Sequence, residues 1–402
     1  MKILMINHFP LDGSGSGIYT KNIAKELVER GHEVCIVFPE IEDVNYKWFK
    51  SVPIIFKGND DQKEYDVPFN FPCFTSHPRS NHTYYELNQN EIDLYIEKFT
   101  EKVKEEIEIF KPDLIHAQHL WIAPYIASKT NIPYIVTAHG TDIKGFKKDG
   151  RYHKYALEGA KKAAKIITIS KQVDMEVKEL YHIEDERRQI VMNGYDDQLF
   201  LKLDISDKNK ILKKFDIEEE PEYIVSFVGK LTHFKGVDVL LKAAHLYEQK
   251  YNHKILTLIA GNGELFHELN EMKNNLKLSN IHFIGHVSQE ELVEIYNIAD
   301  VSVVPSRTEP FGLVAVEALA CGTPVVATNQ GGLPDFINED VGSLVEVDDE
   351  LGLAQGIMDE VDRNDKLDRQ NYCNKYAKEH FSWKKSITEV EALYQDVISN
   401  NN

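Results

Sequence analysis

The stretch VSVVPSRTEPFGLVAVEALACGTPVVA, residues 301–327, decides the fold of this chain. Val301 to Val304 is a short β-branched run that ends before a turn containing Pro and Gly. Leu313 to Cys321 is a longer apolar segment, and Gly322 behind it is a residue that commonly ends a helix. Pro324 to Ala327 is a second short apolar run. A strand, a helix and a second strand in this order predict a doubly wound parallel sheet.

The same alternation of short apolar runs and longer amphipathic segments extends over nearly the whole chain. The runs are continuous rather than alternating, as is typical of parallel strands buried on both faces. Besides the two runs above, they are Ile3 to Ile6, Val34 to Phe38, Leu114 to His116, Tyr134 to Thr137, Ile166 to Ile169, Ile190 to Met192, Ile224 to Val228, Leu256 to Ala260 and Ile281 to Ile284. Because the pattern occurs twice within 402 residues, it predicts two Rossmann-like domains.

The domain boundaries are predicted where charged residues and turns interrupt the apolar pattern. We expect one domain over residues 1–197, a second over 198–381, and a separate C-terminal segment over 382–402, in which Trp383 to Ile398 has a helical pattern. The region from Asn45 to Asn88 is rich in aromatic residues, Pro and polar residues. It predicts loops with short strands.

Composition excludes some classes of partner. The formal net charge is −19, which argues against nucleic acid, because binding a phosphate backbone needs a basic face. It argues more weakly against an anionic membrane surface, so a peripheral membrane contact stays open. No segment approaches the roughly 20 apolar residues of a membrane span, and the four scattered cysteines form no metal-ligand spacing. We therefore expect a reduced, cytoplasmic protein.

A glycine-rich turn follows the first predicted strand. Gly13, Gly15 and Gly17 let backbone N–H groups approach a ligand closely, and a helix N-terminus behind them favours anions. The dinucleotide fingerprint GxGxxG is absent, because Thr20 stands where its third glycine would fall. The turn therefore predicts a loop that faces an anion or a sugar, with a purely structural tight turn as the alternative.

Two lysines follow the strand predicted over Ile224 to Val228. Lys230 and Lys235 lie five residues apart at a strand end that leads into a helix. In a doubly wound sheet both side chains can turn towards one polyanion in the crevice at the strand ends. The alternative is an ordinary solvated surface.

Two glutamates flank the turn in the fold-deciding stretch. Glu317 lies inside an apolar helix, where a carboxylate needs a partner such as a hydroxyl or a cation. Eight helical residues correspond to about 12 Å of rise, too far for the roughly 5 Å carboxylate pair of a double-displacement glycosidase. Glu309 and Glu317 therefore hold different parts of one ligand, while the helix N-terminus at Phe311 to Val314 faces an anion. A structural salt bridge of Glu317 is the alternative.

The segment from Glu309 to Glu317 resembles the E-x7-E motif of the retaining glycosyltransferases of family four, which have the GT-B fold. Five further segments resemble motifs of that family: Gly229 to Gly236, Ala260 to Glu264, Ala138 to Asp142, Gly322 to Ala327 and Gly331 to Asp335. Their order and spacing match from the first strand to the closing helix.

The resemblance implies an α/β protein with two Rossmann-like domains that face a central cleft. The N-terminal domain would bind the acceptor and the C-terminal domain the nucleotide-sugar, and the C-terminal helix would cross back to the first domain. The implied reaction is transfer of a hexose from a nucleoside diphosphate donor, a UDP-sugar, to a hydroxyl acceptor with retention. Cationic side chains replace a metal in this family, so the resemblance implies no metal and no cofactor.

The resemblance also assigns roles to single residues. Glu309, His139 and Lys235 would be catalytic, and Glu317 would bind the ribose hydroxyls. The donor would further contact Gly17, Lys230, Gly263, Val287, Phe311, Gly312 and Leu313, and the acceptor would contact Gly15 and Asp142. Arg79 and Tyr84 are further candidate acceptor contacts, because loops of the first domain border the acceptor side, with an ordinary surface loop as the alternative. The family usually has Arg where this chain has Lys230, which removes a bidentate contact to phosphate but keeps the charge.

Rival functions stay open at this point. They are a nucleotide-sugar epimerase on the same fold, a catalytically idle sugar-binding protein and, less favoured, a dehydrogenase. His116 and His119 have the spacing of a metal pair but no further ligands, so we interpret them as structural. The sequence does not name the acceptor, the sugar, the linkage or the oligomeric state. Acceptors range from a glycan or lipid-linked intermediate to malate, because Ala138 to Asp142 resembles the bacillithiol-pathway enzymes.

Overall fold

The computed structural model describes residues 1–58, 64–75, 77–80, 82–250 and 254–401. The chain folds into two compact units. One unit consists of Met1–Asn193 together with Trp383–Asn402, and the other of Gly194–Ser382. Each unit contains one parallel sheet with helices packed against it, so the predicted α/β class with two doubly wound parallel sheets is confirmed.

The sheet of the first unit has seven parallel strands in the order β3-β2-β1-β6-β7-β8-β9. These are β1 (Lys2–Ile6), β2 (Glu33–Glu40), β3 (Lys50–Ile55), β6 (Leu114–Gln118), β7 (Tyr134–Ala138), β8 (Lys165–Thr168) and β9 (Arg188–Ile190). Two short strands, β4 (Pro72–Cys73) and β5 (His82–Thr83), form a separate pair. The helices are α1 (Gly15–Glu29), α2 (Gln89–Phe110), α3 (Ala123–Ala127), α4 (Thr141–Lys148), α5 (His153–Lys162) and α6 (Lys171–Tyr181).

The sheet of the second unit has six parallel strands in the order β12-β11-β10-β13-β14-β15. These are β10 (Tyr223–Val228), β11 (Ile255–Ala260), β12 (Ile281–Gly285), β13 (Val301–Val304), β14 (Val325–Thr328) and β15 (Gly342–Val345). The helices are α7 (Lys208–Leu212), α8 (Val237–Lys250), α9 (Phe266–Asn275), α10 (Gln289–Ile298), α11 (Leu313–Ala320), α12 (Glu350–Val361) and α13 (Lys366–Phe381).

The last helix, α14 (Trp383–Asn401), belongs to the first unit although the second unit precedes it in the chain. Trp383, Ile387 and Tyr394 are buried in the core of the first unit, which α1 also lines. Burial of one large apolar side chain contributes about 1.5–3 kcal/mol, so this face anchors the helix. The predicted return of the C-terminal helix to the first unit is confirmed.

Three edge strands differ from the sequence-based prediction. β3 lies in the region predicted to hold loops with short strands, but its bounds were not predicted, and β15 was not predicted at all. β9 covers Arg188–Ile190 instead of Ile190 to Met192. All three are outermost strands of their sheets, where partly exposed side chains replace the apolar run of a central strand. Residues 59–63, 76 and 81 of the predicted irregular region lie outside the described residues.

The four cysteines are buried, and none of them forms a disulfide bond. In the part of the chain that the structure describes, no helix combines the length and the apolar character needed to cross a membrane.

Candidate active site

The second unit brings its candidate residues together where the strand order reverses. The chain moves outward from β10 to β12 on one side and from β13 to β15 on the other, so β10 and β13 are neighbours that flank the topological switch point. Ligands of open α/β sheets bind outside the carboxyl ends of the strands at such a point. The loops after β10 and β13 carry the two predicted lysines and Glu309.

A close backbone approach fixes Lys235 in this loop. Gly236 follows it with φ of 66°, and a Cβ there would lie 2.0 Å from the Pro305 carbonyl oxygen. Only glycine fits such a contact. Arg307 holds the same loops together, because its backbone N–H donates to the Phe234 carbonyl and its guanidinium donates to both carboxylate oxygens of Asp238. The lysine loop is therefore fastened to the loop after β13.

Lys235 and Glu309 form an ion pair across the switch point. The Lys235 ammonium lies 2.6 Å from Glu309 Oε2, and the Ser306 hydroxyl donates to the same oxygen at 3.3 Å. Glu309 is 7% exposed. A buried carboxylate is costly without a partner, and Lys235 and Ser306 supply the partners of Glu309 at this position.

The helix that follows Glu309 leaves its first N–H groups without a side-chain cap. Gly312 at its N-cap has φ of 106° and, as a glycine, has no side chain that could cap the helix. A Cβ on Gly312 would lie 2.6 Å from Leu333 Cδ2, and a Cβ on Gly331 would lie 1.7 Å from the Glu309 carbonyl oxygen. The two glycines therefore let the loops pack closely, and the N-terminus of α11 lies beside Glu309 as a place that favours an anion.

Glu317 lies on the same helix in a partly exposed position. Burial raises the pKa of its carboxyl from 4.5 to about 8, while the neighbouring Tyr296 phenol lowers it and the Asp196 carboxyl raises it. Among the described residues, no cationic side chain forms an ion pair with Glu317. The salt-bridge alternative is therefore wrong for this carboxyl, and its predicted contact with ribose hydroxyls stays a prediction.

The other predicted donor residues of this unit lie in loops at the same edge of the sheet. Lys230 is exposed just after β10. Gly263 follows β11, and a Cβ there would lie 2.3 Å from the Leu231 carbonyl oxygen. Val287 follows β12 and packs partly against the core, whereas the ring of Phe311 is buried against Phe336. Leu313 is half-buried in the first turn of α11. Their donor contacts stay predictions.

In the first unit the two glycines of the β1–α1 turn differ. Gly15 begins α1 in open space, where a Cβ would meet no atom within 4 Å. Gly17 is buried, and a Cβ there would lie 2.2 Å from the Pro10 carbonyl oxygen. Its N–H donates to the Ser14 hydroxyl, which caps the helix. Packing therefore explains Gly17, and its contact with the donor stays a prediction.

His139 follows β7 and is almost buried. Its Nε2 lies 2.9 Å from Gln118 Oε1, and burial lowers the pKa of its imidazole to about 3. Asp142 accepts hydrogen bonds from the backbone N–H groups of His139 and Leu120 and is fully buried. This carboxylate fastens the loops after β6 and β7 to each other. Both of its oxygens accept from these backbone groups, and its predicted contact with the acceptor stays a prediction.

The other two predicted acceptor residues also have protein partners. Tyr84 is fully buried, and its hydroxyl lies 3.2 Å from His8 Nδ1 and 3.3 Å from the Tyr95 hydroxyl. Its ring is part of an aromatic core, and its predicted contact with the acceptor stays a prediction. Arg79 donates to both carboxylate oxygens of Glu40 and keeps part of its side chain exposed, so its contact with the acceptor stays a prediction.

Sequence reasoning missed the residues that act on other site residues. Ser306 and Arg307 belong to the fold-deciding stretch, yet nothing in their residue type distinguishes them from ordinary loop residues. Gln118 could have been noticed, because it ends a buried strand next to the sheet centre. No group of three or more His, Cys, Asp or Glu side chains within the described ranges is arranged to hold a metal ion.

Comparisons with known proteins match both units. The family described as Glycosyltransferase Family 4 matches residues 13–199, and Glycosyl transferases group 1 matches residues 207–380, about nine-tenths of the chain together. An uncharacterized glycosyltransferase of Methanocaldococcus jannaschii is 28% identical over 363 residues, 86% of this chain and 84% of that protein. N-acetyl-alpha-D-glucosaminyl L-malate synthase of Bacillus anthracis is 25% identical over 394 residues, 96% and 94% of the two chains.

A solved structure supports the fold. Anabaena HepE in complex with UDP and glucose superposes with a TM-score of 0.75 at 18% identity, over 98% of this chain and 100% of that one. The predicted GT-B fold class is thereby confirmed.

Proposed function

The chain belongs to the glycosyltransferases of group 1 and family 4, and we propose that it transfers a hexose from a UDP-sugar to a hydroxyl acceptor with retention and without a metal. Two similarities support this proposal. The HepE structure that shares the fold holds UDP and glucose, and the Bacillus anthracis relative is named for joining an N-acetylglucosaminyl group to L-malate.

The Lys235–Glu309 pair is the observation that carries the proposal. It places a cation and a carboxylate side by side at the switch point of the second unit, 2.6 Å apart. The uncapped N-terminus of α11 begins four residues after Glu309. A nucleotide-sugar needs this combination, because its diphosphate requires positive charge while the hydroxyls of its sugar donate to a carboxylate.

The proposed reaction breaks the bond from the anomeric carbon to the diphosphate oxygen and forms a bond to the acceptor oxygen on the same face. The electron pair of the broken bond leaves with the diphosphate, and Lys235, Lys230 and the α11 N-terminus stabilise its growing charge. The acceptor proton passes to a diphosphate oxygen. Fixed positive charges thus take the place that a metal ion occupies in other enzymes of this kind.

His139 takes a restricted role in this reaction. A general base works best with a pKa near the operating pH, whereas burial lowers the pKa of His139 to about 3. Its imidazole is therefore neutral and can hold a hydroxyl of the transferred sugar by a hydrogen bond, but it does not carry the proton. This supports the diphosphate as the proton acceptor.

The experiment that tests the proposal measures release of UDP from a panel of UDP-sugars, with hexoses, N-acetylhexosamines and L-malate as acceptors, in buffer with EDTA. We expect at least one donor and acceptor pair to release UDP at a rate that EDTA does not change. Loss of activity in EDTA that manganese restores would contradict the metal-free mechanism. Conversion of the donor into an epimer without an acceptor would indicate a nucleotide-sugar epimerase. UDP binding without any turnover would indicate a catalytically idle sugar-binding protein.

Glu317 gives a pH-dependent prediction for donor binding. Its carboxyl has a pKa of about 8 in the free protein, so near pH 7 it is mostly protonated and the ribose hydroxyls meet a poor acceptor. UDP binding must expel this proton, so affinity rises with pH until the carboxyl is ionised. We expect UDP to bind roughly five- to tenfold more tightly at about pH 8.5 than at about pH 7.

The control is Glu317→Gln, which keeps the shape of the side chain and cannot titrate. Its affinity for UDP should be weaker at the higher pH and should lack this pH dependence, and its main kinetic effect should be a higher donor KM. Calorimetry at both pH values measures this. Equal pH dependence in the two proteins would contradict the assignment of Glu317.

A further inference from the structure

The first unit has its own topological switch point, between β1 and β6. β1 ends at Ile6 and is followed by Asn7, while β6 ends at Gln118 and is followed by His119. The carboxyl ends of two parallel strands on either side of such a point border the crevice in which ligands of open sheets bind. The polar side chains at these two strand ends are therefore the first place to look for a ligand site in this unit.

His119, just after the end of β6, combines an unfavourable backbone conformation with a buried polar side chain that has no hydrogen-bond partner within the described part of the chain. Its backbone is left-handed, with φ of 68°, a conformation that residues other than glycine adopt rarely. Its side chain is fully buried, and neither ring nitrogen has a hydrogen-bond partner among the described residues. Buried polar atoms are nearly always paired, so stability alone does not explain this residue.

Two neighbours at the same strand ends are also incompletely paired. The Gln118 amide uses its oxygen for His139, and its Nε2 has no partner in the described part of the chain. Asn7 donates its amide to the Phe9 carbonyl, and its Oδ1 has no such partner either. A neutral imidazole offers one donor and one acceptor. The three side chains together thus leave hydrogen-bond donors and hydrogen-bond acceptors without partners within the described ranges. A hydroxyl group can pair with both kinds, because it donates one hydrogen bond and accepts others.

We propose that Asn7, Gln118 and His119 form a binding site for the uncharged hydroxyl groups of the acceptor, a sugar or another polyol. The proposal rests on the proposed function, which it deepens by naming a chemical class for the acceptor.

Among the described residues, the rings that contact the His119 imidazole are those of His8, His139, Phe9 and Phe74, and none of them is a lysine or arginine cation. Burial lowers the pKa values of His8 and His139 to about 3, so both rings are neutral. An anionic group would have no counter-charge here and would have to give up its water. The site therefore selects a neutral hydroxyl over a carboxylate or a phosphate.

The rings of Phe9 and Phe74 cover the His119 imidazole, with centroids 5.1 and 5.4 Å from it. A ligand reaches the imidazole by displacing one of these rings, and both residues lie in loops after strands. Binding then exchanges an aromatic contact for hydrogen bonds that the three polar side chains lack.

The first test compares two buried histidines near the end of the same strand. His119→Phe removes two unpaired polar atoms, so the variant should keep or raise the Tm. His116 has both ring nitrogens paired, with the Tyr394 and Thr137 hydroxyls at 2.7 Å, so His116→Phe should lower the Tm by roughly 3 °C or more. A similar fall in Tm for both variants would make His119 a structural residue and overturn the proposal.

The second test measures the Tm of the full-length protein with D-glucose, N-acetylglucosamine and myo-inositol, and with L-malate and inorganic phosphate as anionic comparators. We expect a neutral polyol to raise the Tm of the wild type and of His116→Phe, and to leave that of His119→Phe unchanged. Protection by the anions alone, protection of His119→Phe to the same extent, or no protection by any polyol would overturn the proposal.

Calorimetry with UDP separates this proposal from the proposed function. UDP should bind wild type and His119→Phe equally, because the three residues are assigned to the acceptor. If UDP binds neither protein, the proposed function fails. If UDP binds both and no polyol protects the wild type, only the acceptor site fails.

Discussion

We expect Glu309→Gln to lower kcat about 100-fold or more and at the same time to make UDP bind more tightly. The two effects have one origin, the ion pair of 2.6 Å between the Lys235 ammonium and Glu309 Oε2. In the proposed reaction the sugar ring gains positive charge as its bond to the diphosphate breaks, and the Glu309 carboxylate would stabilise that charge. Gln keeps the shape but not the charge, so the loss falls mainly on the transition state.

The gain in UDP affinity follows because Glu309 and the diphosphate compete for Lys235. In the free protein this ammonium is neutralised by the carboxylate, so UDP must draw it away from an almost buried partner. Gln at position 309 removes that competition, and we expect UDP to bind roughly three- to tenfold more tightly. Calorimetry with UDP and steady-state kinetics with the UDP-sugar measure the two effects.

The matched control is Glu317→Gln, which changes the other glutamate of the motif in the same conservative way. That variant should bind UDP more weakly and keep most of its kcat. If Glu309→Gln instead binds UDP more weakly than the wild type and keeps its kcat, the roles assigned to the two glutamates are reversed. Equal losses in both variants would indicate that α11 has been disturbed as a whole.

Lys235→Ala should weaken UDP binding and slow transfer. One charge-assisted hydrogen bond to phosphate contributes about 1.5–3 kcal/mol, which corresponds to roughly 10- to 150-fold in Kd. The variant also leaves the Glu309 carboxylate buried without its cationic partner, so its free energy of unfolding should be lower than that of the wild type. The double variant Lys235→Ala with Glu309→Gln should recover part of that stability, since no unpaired charge remains.

Lys230 provides the comparison for this lysine. It is exposed and sits five residues earlier, before the loop that Gly236 and Arg307 fix. Lys230→Ala should weaken UDP binding, and Lys230→Arg should bind UDP at least as well as Lys230→Ala. Unchanged UDP affinity in both alanine variants would contradict a diphosphate site at this switch point.

The central strands and the switch-point residues could be predicted from sequence for a physical reason. A strand buried on both faces has to be apolar throughout, so β10 and β13 have a distinctive pattern, and the residues just after them must lie at one edge of the sheet. Lys235 and Glu309 could thus be named without coordinates. Edge strands such as β3 and β9 carry exposed polar side chains, which leaves no comparable pattern.

The direction of a loop side chain could not be predicted in the same way. Tyr84 and Asp142 are polar residues in or next to loops, and such residues commonly contact ligands. In the structure both turn inward, one to an aromatic core and the other to two backbone N–H groups. His119 is the reverse case, since its sequence context indicated a structural residue and its backbone and unpaired nitrogens indicate a ligand contact.

The central claim is transfer from a nucleotide-sugar with retention, and the configuration of the product tests it most directly. Proton NMR of a running reaction follows the anomeric signal of an α-linked UDP-sugar donor and that of the new glycoside. The account predicts that the donor signal falls in step with the rise of an α-anomeric product signal from the first turnovers. A β-anomeric product would contradict retention, and an unchanged donor with every acceptor would contradict the transfer itself.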